Sequence, residues 1–224
     1  MSDTTATLGN TEGNRASLAQ AVYDELRKAI RAGKYSGGGR IREEEVAKAL
    51  GVSRTPVREA LLRLQSRGMV EPAVGGLAVV QLSRSQIVEL YAMRELLEGA
   101  AARFAAERAS PSEITLLRHV LGMFEHALAI PDKLPEINRH LHAAIYEIAH
   151  NRYLAQSLEQ LHDSLTLLPD TTFAVEGRPK EAFSEHSRIV EAIERRDPDA
   201  ADRAAREHIK KAEALRLAML FGFA

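Results

Sequence analysis

Arg54 and Arg58 stand four residues apart in the stretch GVSRTPVREALLRL, on either side of Pro56. Proline lacks a backbone N–H, so it is tolerated in the first turn of a helix, where that donor would have no intrahelical acceptor. Pro56 therefore marks a helix entrance, with Ser53 or Thr55 as N-cap. Either choice puts both arginines at the entrance, on the side opposite Val57, Leu61 and Leu64. The N-terminal end of such a helix can enter a DNA major groove, where arginine donates two hydrogen bonds to guanine O6 and N7. Thr55 and the cap hydroxyl can donate to phosphates, which positions a protein without reading sequence.

A second constellation lies among the 8 histidines. Asn138 and His142, four apart, project from one face of a helix. His186 falls early in the next-to-last helix and His208 midway along the last. Antiparallel packing across the turn at Asp197 and Pro198 brings these two to a similar level. Three imidazoles and an amide oxygen then converge inside a helical bundle, a usual place for a metal ion. Hydrolysis would also need a well-placed general base. No carboxylate lies three or four residues from His142, and Glu185 and Glu207, beside their histidines, are expected to point elsewhere. His119, His126, His150 and His162 are read as structural or exposed.

The elements that must carry these residues are legible from periodicity. Leu18, Val22, Leu26 and Ile30 mark one face of a first helix. A short helix over Glu43 to Leu50 ends at Gly51, the arginine helix follows, and MVEPAVGGLAVVQL has the pattern of a small hairpin around Gly75 and Gly76. After Leu82 the sequence reads as helix throughout. Ser83 with Gln86 and Ser110 with Glu113 form capping boxes, and Asn151 is a further cap. The expected architecture is mainly α: an N-terminal winged helix-turn-helix with a small β wing over 16–80, then an all-α antiparallel bundle of about six helices over 83–221. Residues 1–15 are expected to form a disordered polar arm.

Composition narrows the function class. The chain has no cysteine among its 224 residues, which excludes a disulfide framework and thiolate metal ligation. The net charge of -1 hides an asymmetry: residues 1–80 carry +3, whereas Arg27 to Arg67 alone carry +7. A basic segment beside an acidic remainder suits a polyanionic partner. No apolar run reaches the roughly 20 residues of a membrane span, and the N-terminal sequence lacks the pattern of a secretion signal; a cytoplasmic protein is expected.

The segment GRIREEEVAKALGVSRTPVREALLRLQSRGMVEPAVGGLAVV resembles the DNA-binding domain of GntR-family transcription regulators, with SRTPVREAL close to their recognition-helix signature. The segments NRHLHAAIYEIAHNRYL and EHSRIVEAIERRDPDAADRAAREHI resemble the C-terminal ligand-binding domain of the FadR subfamily, in its shorter VanR-like branch. The resemblance implies that Arg54 and Arg58 contact operator bases and that wing-tip Gly75 or Gly76 lies against the minor groove. Some members place a DNA-contacting arginine in the second helix, where this chain has Glu44; Arg42 or Arg40 would have to substitute. It also implies a divalent metal of the Zn, Ni or Mn class held by Asn138, His142, His186 and His208, with asparagine in the usual aspartate position. Arg94 falls in a stretch the family places near its effector pocket, although pairing with Glu98 at i+4 is an alternative.

With neutral ligands the ion would keep its full double charge, so a small carboxylate effector is expected. The function the resemblance implies is a homodimer on a palindromic double-stranded operator, expected to be a repressor released by its ligand and not an enzyme. A metal-free regulator binding the acid directly, and a metal-dependent hydrolase fused to a winged domain, are the alternatives.

Overall fold

The structure, a computed structural model, describes residues 8–169 and 171–222, with side chains from Ser17 onward. Contacts divide it into two units, the chain up to Leu82 with His162–Pro169, and Ser83–Leu161 with the chain beyond Pro169.

The first unit contains α1 (Leu8–Arg31), β1 (Arg40–Ile41), α2 (Glu43–Leu50), α3 (Arg54–Ser66), β2 (Val70–Ala73) and β3 (Gly76–Val79). The arm expected over 1–15 overlaps the first turns of α1, since adding a residue to an existing helix costs far less than nucleating one. Its remainder lies outside the described residues. Val22, Leu26 and Ile30 of α1 are buried with Val57, Leu61 and Leu64 of α3, whereas Leu18 is exposed. Each such burial removes apolar surface from water, worth about 1.5 to 3 kcal/mol per side chain, and together they fix α3 with Arg54 and Arg58 outward. Gly51 ends α2 in the left-handed conformation at φ 65°, with its N–H bonded to Ala47 O. That lets α3 start after two further residues. Val46 and Ala47 of α2 are buried, and Leu50 at its end is exposed.

The sheet has the antiparallel order β1-β3-β2. Ala73 pairs with Gly76, so Val74 and Gly75 form the turn, and Gly75 takes the φ of 82° that such a tight reversal requires. Val74 projects into solvent at the tip. The segment 162–169, expected in the helical half, belongs by contact to this unit. The buried Asp163 carboxylate accepts hydrogen bonds from Arg27 and from Arg67 (3.0 Å), and Leu167 packs on the same apolar cluster.

The second unit is built on α4 (Arg84–Arg108), α5 (Pro111–Ala127), α6 (Leu134–Ile148), α7 (Arg152–Leu165, whose last turn belongs to the first unit), α8 (Arg178–Glu194) and α9 (Pro198–Phe221). Both predicted capping boxes are present, at Ser83 with Gln86 and at Ser110 with Glu113. Asn151 Oδ1 accepts from Leu154 N at 3.2 Å, and Asp197 Oδ1 accepts from Ala200 N at 2.9 Å. The caps at Asn151 and Asp197 fix where α7 and α9 begin. Ala101, Ala102, Ala105 and Ala106 form the C-terminal part of the buried face of α4, and small side chains let neighbouring helices approach closely.

Candidate nucleic-acid interface and metal centre

α3 begins at Arg54 with Ser53 in the N-cap position, which decides between the two caps the sequence allowed; the Ser53 side chain makes no capping bond. Ser53 and Thr55 are exposed, and Pro56 is buried in the first turn. Arg54 and Arg58 are both more than half exposed. They share with Arg42, Gly75 and Gly76 the walls of a recess of about 380 Å³. Five of the residues singled out for DNA contact thus line one surface depression, whereas Ser53 and Thr55 are exposed outside its lining.

That depression is not purely basic. Glu43, Glu44 and Glu45 occupy the first turn of α2, where carboxylates favour the exposed backbone N–H groups. They also hold the arginines. Arg58 donates from Nε and Nη2 to Glu43 at 3.2 and 3.0 Å, and Arg54 donates from Nη1 to Glu44 at 2.9 Å. Arg42 pairs with Glu45 at 3.1 Å.

In the second unit α6, α8 and α9 bring His142, His186 and His208 together. One ring nitrogen from each lies within 4.8 Å of the others, and all three residues are buried. The ring centroids are 5.3 Å apart for His142 and His186, 5.3 Å for His142 and His208, and 4.5 Å for His186 and His208. Asn138 lies one turn before His142 on α6, and its Oδ1 is buried without a hydrogen-bond partner among the described residues. His142 Nε2 and both nitrogens of His186 are likewise buried and unpartnered. Buried polar atoms are normally satisfied, so four orphaned atoms on Asn138, His142 and His186 fit residues arranged for a ligand such as a metal ion.

Two carboxylates orient the rings. Glu98 Oε2 lies 2.6 Å from His142 Nδ1, and Glu185 Oε2 lies 2.7 Å from His208 Nδ1, which leaves Nε2 of each ring for the interior. This is the usual second layer of a histidine metal site, which fixes the tautomer and the ring plane. Each carboxylate has its own cation: Arg94 donates to Glu98 at 2.6 and 3.0 Å, and Arg178 donates to Glu185 at 2.8 and 2.9 Å.

Burial by itself would raise the Glu98 carboxyl, but the His142 ring and the Arg94 guanidinium outweigh it and hold the group well below the usual carboxylate range. Glu185 behaves alike: burial pushes it up, and hydrogen bonds from His208 and Arg178 bring it to about 2. Burial, reinforced by His208 and His142, pushes His186 well below its ordinary value. Burial also lowers His208, to about 4, against the opposing pull of Glu185. Both rings are therefore neutral near pH 7, with lone pairs available to a cation.

Sequence reasoning found the histidines and missed their partners. Glu185 was expected to point away from the cluster; it reaches instead across to α9, because its place on α8 faces the adjacent helix. Glu98 was named only as an alternative i+4 partner of Arg94 and not as a partner of His142, and Arg178 was not singled out. Arg94, proposed for the effector, is buried and committed to Glu98. The i+4 pairing of Arg94 with Glu98, the alternative read from their spacing, is the contact the structure contains.

The comparisons with known proteins agree with the two-part architecture. The family described as bacterial regulatory proteins, gntR family, matches residues 18–80, and the FCD domain matches residues 89–211. The chain is 30% identical to the uncharacterized HTH-type transcriptional regulator YdhC of Bacillus subtilis, over 83% of this chain and 85% of that one. It is 29% identical to the HTH-type transcriptional repressor NanR of Klebsiella aerogenes, over 95% and 92% respectively. Its fold is similar to that of the E. coli protein McbR/YncC, with a TM-score of 0.80 at 24% identity, covering 90% of this chain and 98% of that one.

Proposed function

The chain belongs to the gntR family of bacterial regulatory proteins and carries an FCD domain, and from that premise we propose that it is a homodimeric repressor released from its operator by a small organic acid. DNA binding and regulation of transcription are what the family does, and this chain is a regulator rather than an enzyme.

The observation that carries the effector reading is the buried trio His142, His186 and His208 with its orphaned nitrogens. These three and Asn138 would hold a divalent ion of the Zn, Ni or Mn class. Bound there, such an ion supplies a positive charge with coordination positions open to a carboxylate. The protein contributes no net negative charge of its own around it, since Glu98 is offset by Arg94 and Glu185 by Arg178 and Lys211. An anion is therefore the ligand the site favours. Arg94, the earlier candidate for the effector, acts in this reading through Glu98.

The repressor itself works through α3. Arg54 and Arg58 read bases, Ser53 and Thr55 bind phosphates, and Gly75 and Gly76 bring the wing backbone close to the duplex. Two copies on a palindrome need a shared face, and the exposed apolar Val88, Met93 and Leu96 of α4 support one on the helical unit. The effector shifts the equilibrium only by binding the DNA-incompetent form more tightly than the competent one. No helix among the described residues is long and apolar enough to cross a membrane, which suits a regulator working in the cytoplasm on chromosomal DNA.

The test is elemental analysis of protein purified without a nickel column, followed by thermal-shift screening of organic acids with and without chelator. Stoichiometric metal and an acid-induced shift that chelator abolishes are expected. An acid-induced shift that survives chelation, with no bound metal, would replace this reading by a metal-free one in which the acid binds the histidines directly.

A further inference from the structure

Glu43 is the most enclosed acidic group of the α2 N-terminus, with its side chain 28% exposed against 76% for Glu44 and 66% for Glu45. It grips Arg58 side-on: Nε to Oε1 at 3.2 Å and Nη2 to Oε2 at 3.0 Å. The hydrogen bond from Arg58 holds the Glu43 carboxyl below its ordinary value, so the group is ionised at neutral pH. Guanidinium has five N–H donors in a fixed plane. A carboxylate on the Nε and Nη2 edge leaves the opposite edge, with its two parallel N–H bonds from Nη1 and Nη2, free and aimed along the plane that Glu43 sets. Those two parallel bonds are the pair that matches guanine O6 and N7. Arg54 differs. Its Nη1 and Nη2 edge is the one that faces Glu44 at 2.9 Å and Glu43 at 3.5 Å.

We infer that Glu43 is a positioning residue for base reading: it fixes the plane of Arg58 so that the free guanidinium edge is presented to one guanine. The inference rests on the DNA-contact role given to Arg58 above. Free arginine carries several soft torsions, and holding it in one plane before binding lowers the ordering cost that binding would otherwise incur. A carboxylate beside a groove also repels phosphates. Its net effect is therefore to lower affinity for DNA in general while sharpening the choice of one base pair. Glu44 and Glu45 share the repulsion, but neither makes the side-on contact with Arg58.

The experiment begins with a duplex enriched from a randomised library by the native protein. Affinities of the native protein, Glu43→Gln, Arg58→Ala, the double variant and Glu45→Gln are measured on that duplex, on duplexes with each G·C pair replaced singly, and on random DNA. Glu45→Gln removes a charge from the same helical turn without touching Arg58, and thermal melting checks that each variant is folded. Glu43→Gln should bind random DNA more tightly. It should lose discrimination by about tenfold at the one pair that Arg58→Ala also stops reading, with no further loss in the double variant. Glu45→Gln should tighten random binding and keep discrimination. Equal gains by Glu43→Gln on every duplex, or losses that add in the double variant, would overturn the positioning role and leave only charge repulsion. Should Glu43→Gln fail to fold, Glu43→Asp, which keeps the charge but cannot reach both Nε and Nη2, must show the same selective loss, and unchanged discrimination in it would overturn the inference. If the native protein enriches no duplex, the DNA-contact reading itself falls, and the inference with it.

Discussion

Glu185 on α8 places Oε2 2.7 Å from Nδ1 of His208 on α9, and the same carboxylate receives two hydrogen bonds from Arg178. One buried group therefore joins a structural ion pair to a candidate metal ligand. The pair is costly to break on one side only, because the buried Arg178 would be left with only the exposed Glu181, 3.7 Å away.

Glu185→Gln should consequently act twice. Stability falls by about 3 to 5 kcal/mol as Arg178 loses its counter-charge, read by thermal or urea denaturation. Metal affinity falls by about 10- to 100-fold as the anionic acceptor that fixes the His208 tautomer becomes a neutral amide, read by competition with a chromophoric chelator. A drop in stability with metal affinity unchanged would mean that His208 is held by something other than Glu185.

Asn138 carries no charge where the resemblance leads one to expect aspartate. Asn138→Asp should tighten metal binding, because a carboxylate is the better partner for a divalent cation, and weaken an anionic effector by reducing the net charge it meets. Titration of the metal-loaded variant with the acid identified by thermal shift checks both. Tighter effector binding would contradict the charge argument and favour direct recognition of the acid by side chains.

His186 has both ring nitrogens buried and without a partner among the described residues, an arrangement that costs stability unless something binds. His186→Phe replaces the ring by one that needs no partner, beside Phe124, whose centroid is 5.0 Å from that of His186. The variant should bind no metal and lose its effector response, while its chelator-treated form is at least as stable as the chelator-treated native protein. Operator affinity without effector should be unchanged, as measured by fluorescence anisotropy. A variant that still responds normally to effector would place the ligand elsewhere.

Local chemistry was legible in the sequence, and contacts set by packing were not. Pro56, the capping residues Ser83 and Ser110, and the apolar spacing of Val57, Leu61 and Leu64 each act within about one or two turns of their own helix, so their signal survives in one dimension. The histidines were legible for a second reason, since few residue types share their chemistry. Nothing in the sequence marked Glu98 or Glu185 as partners of these histidines. Glutamate is common on helix surfaces, and what makes these two unusual is the helix register that buries them against His142 and His208. β1 is only two residues long and has no periodicity to detect; it exists because Ile41 pairs with Leu77 and is buried. Segment 162–169 reads as a helix end, and only its contacts with Arg27, Arg67 and the α1–α3 core assign it to the first unit.

Gly99 lies next to Glu98 on α4, against Asp202 and Arg206 of α9, and it links packing to the candidate metal site. A Cβ there would overlap Asp202 Oδ1 and come within 2.9 Å of Arg206 Cγ and Nε. Asp202 and Arg206 are themselves joined by a 2.7 Å hydrogen bond, so the pair has little room to yield separately. Gly99→Ala should then push α9 away from α4, destabilising the unit by about 1 to 3 kcal/mol, the usual range for overpacking a close contact. The same displacement moves His208, two residues beyond Arg206, relative to Glu98 and His142, so metal affinity should fall in parallel. Combining Gly99→Ala with Asp202→Ala removes the clashing oxygen and should restore part of both. Lost stability with full metal affinity would show that α9 yields only through its side chains, leaving the backbone that carries His208 in place.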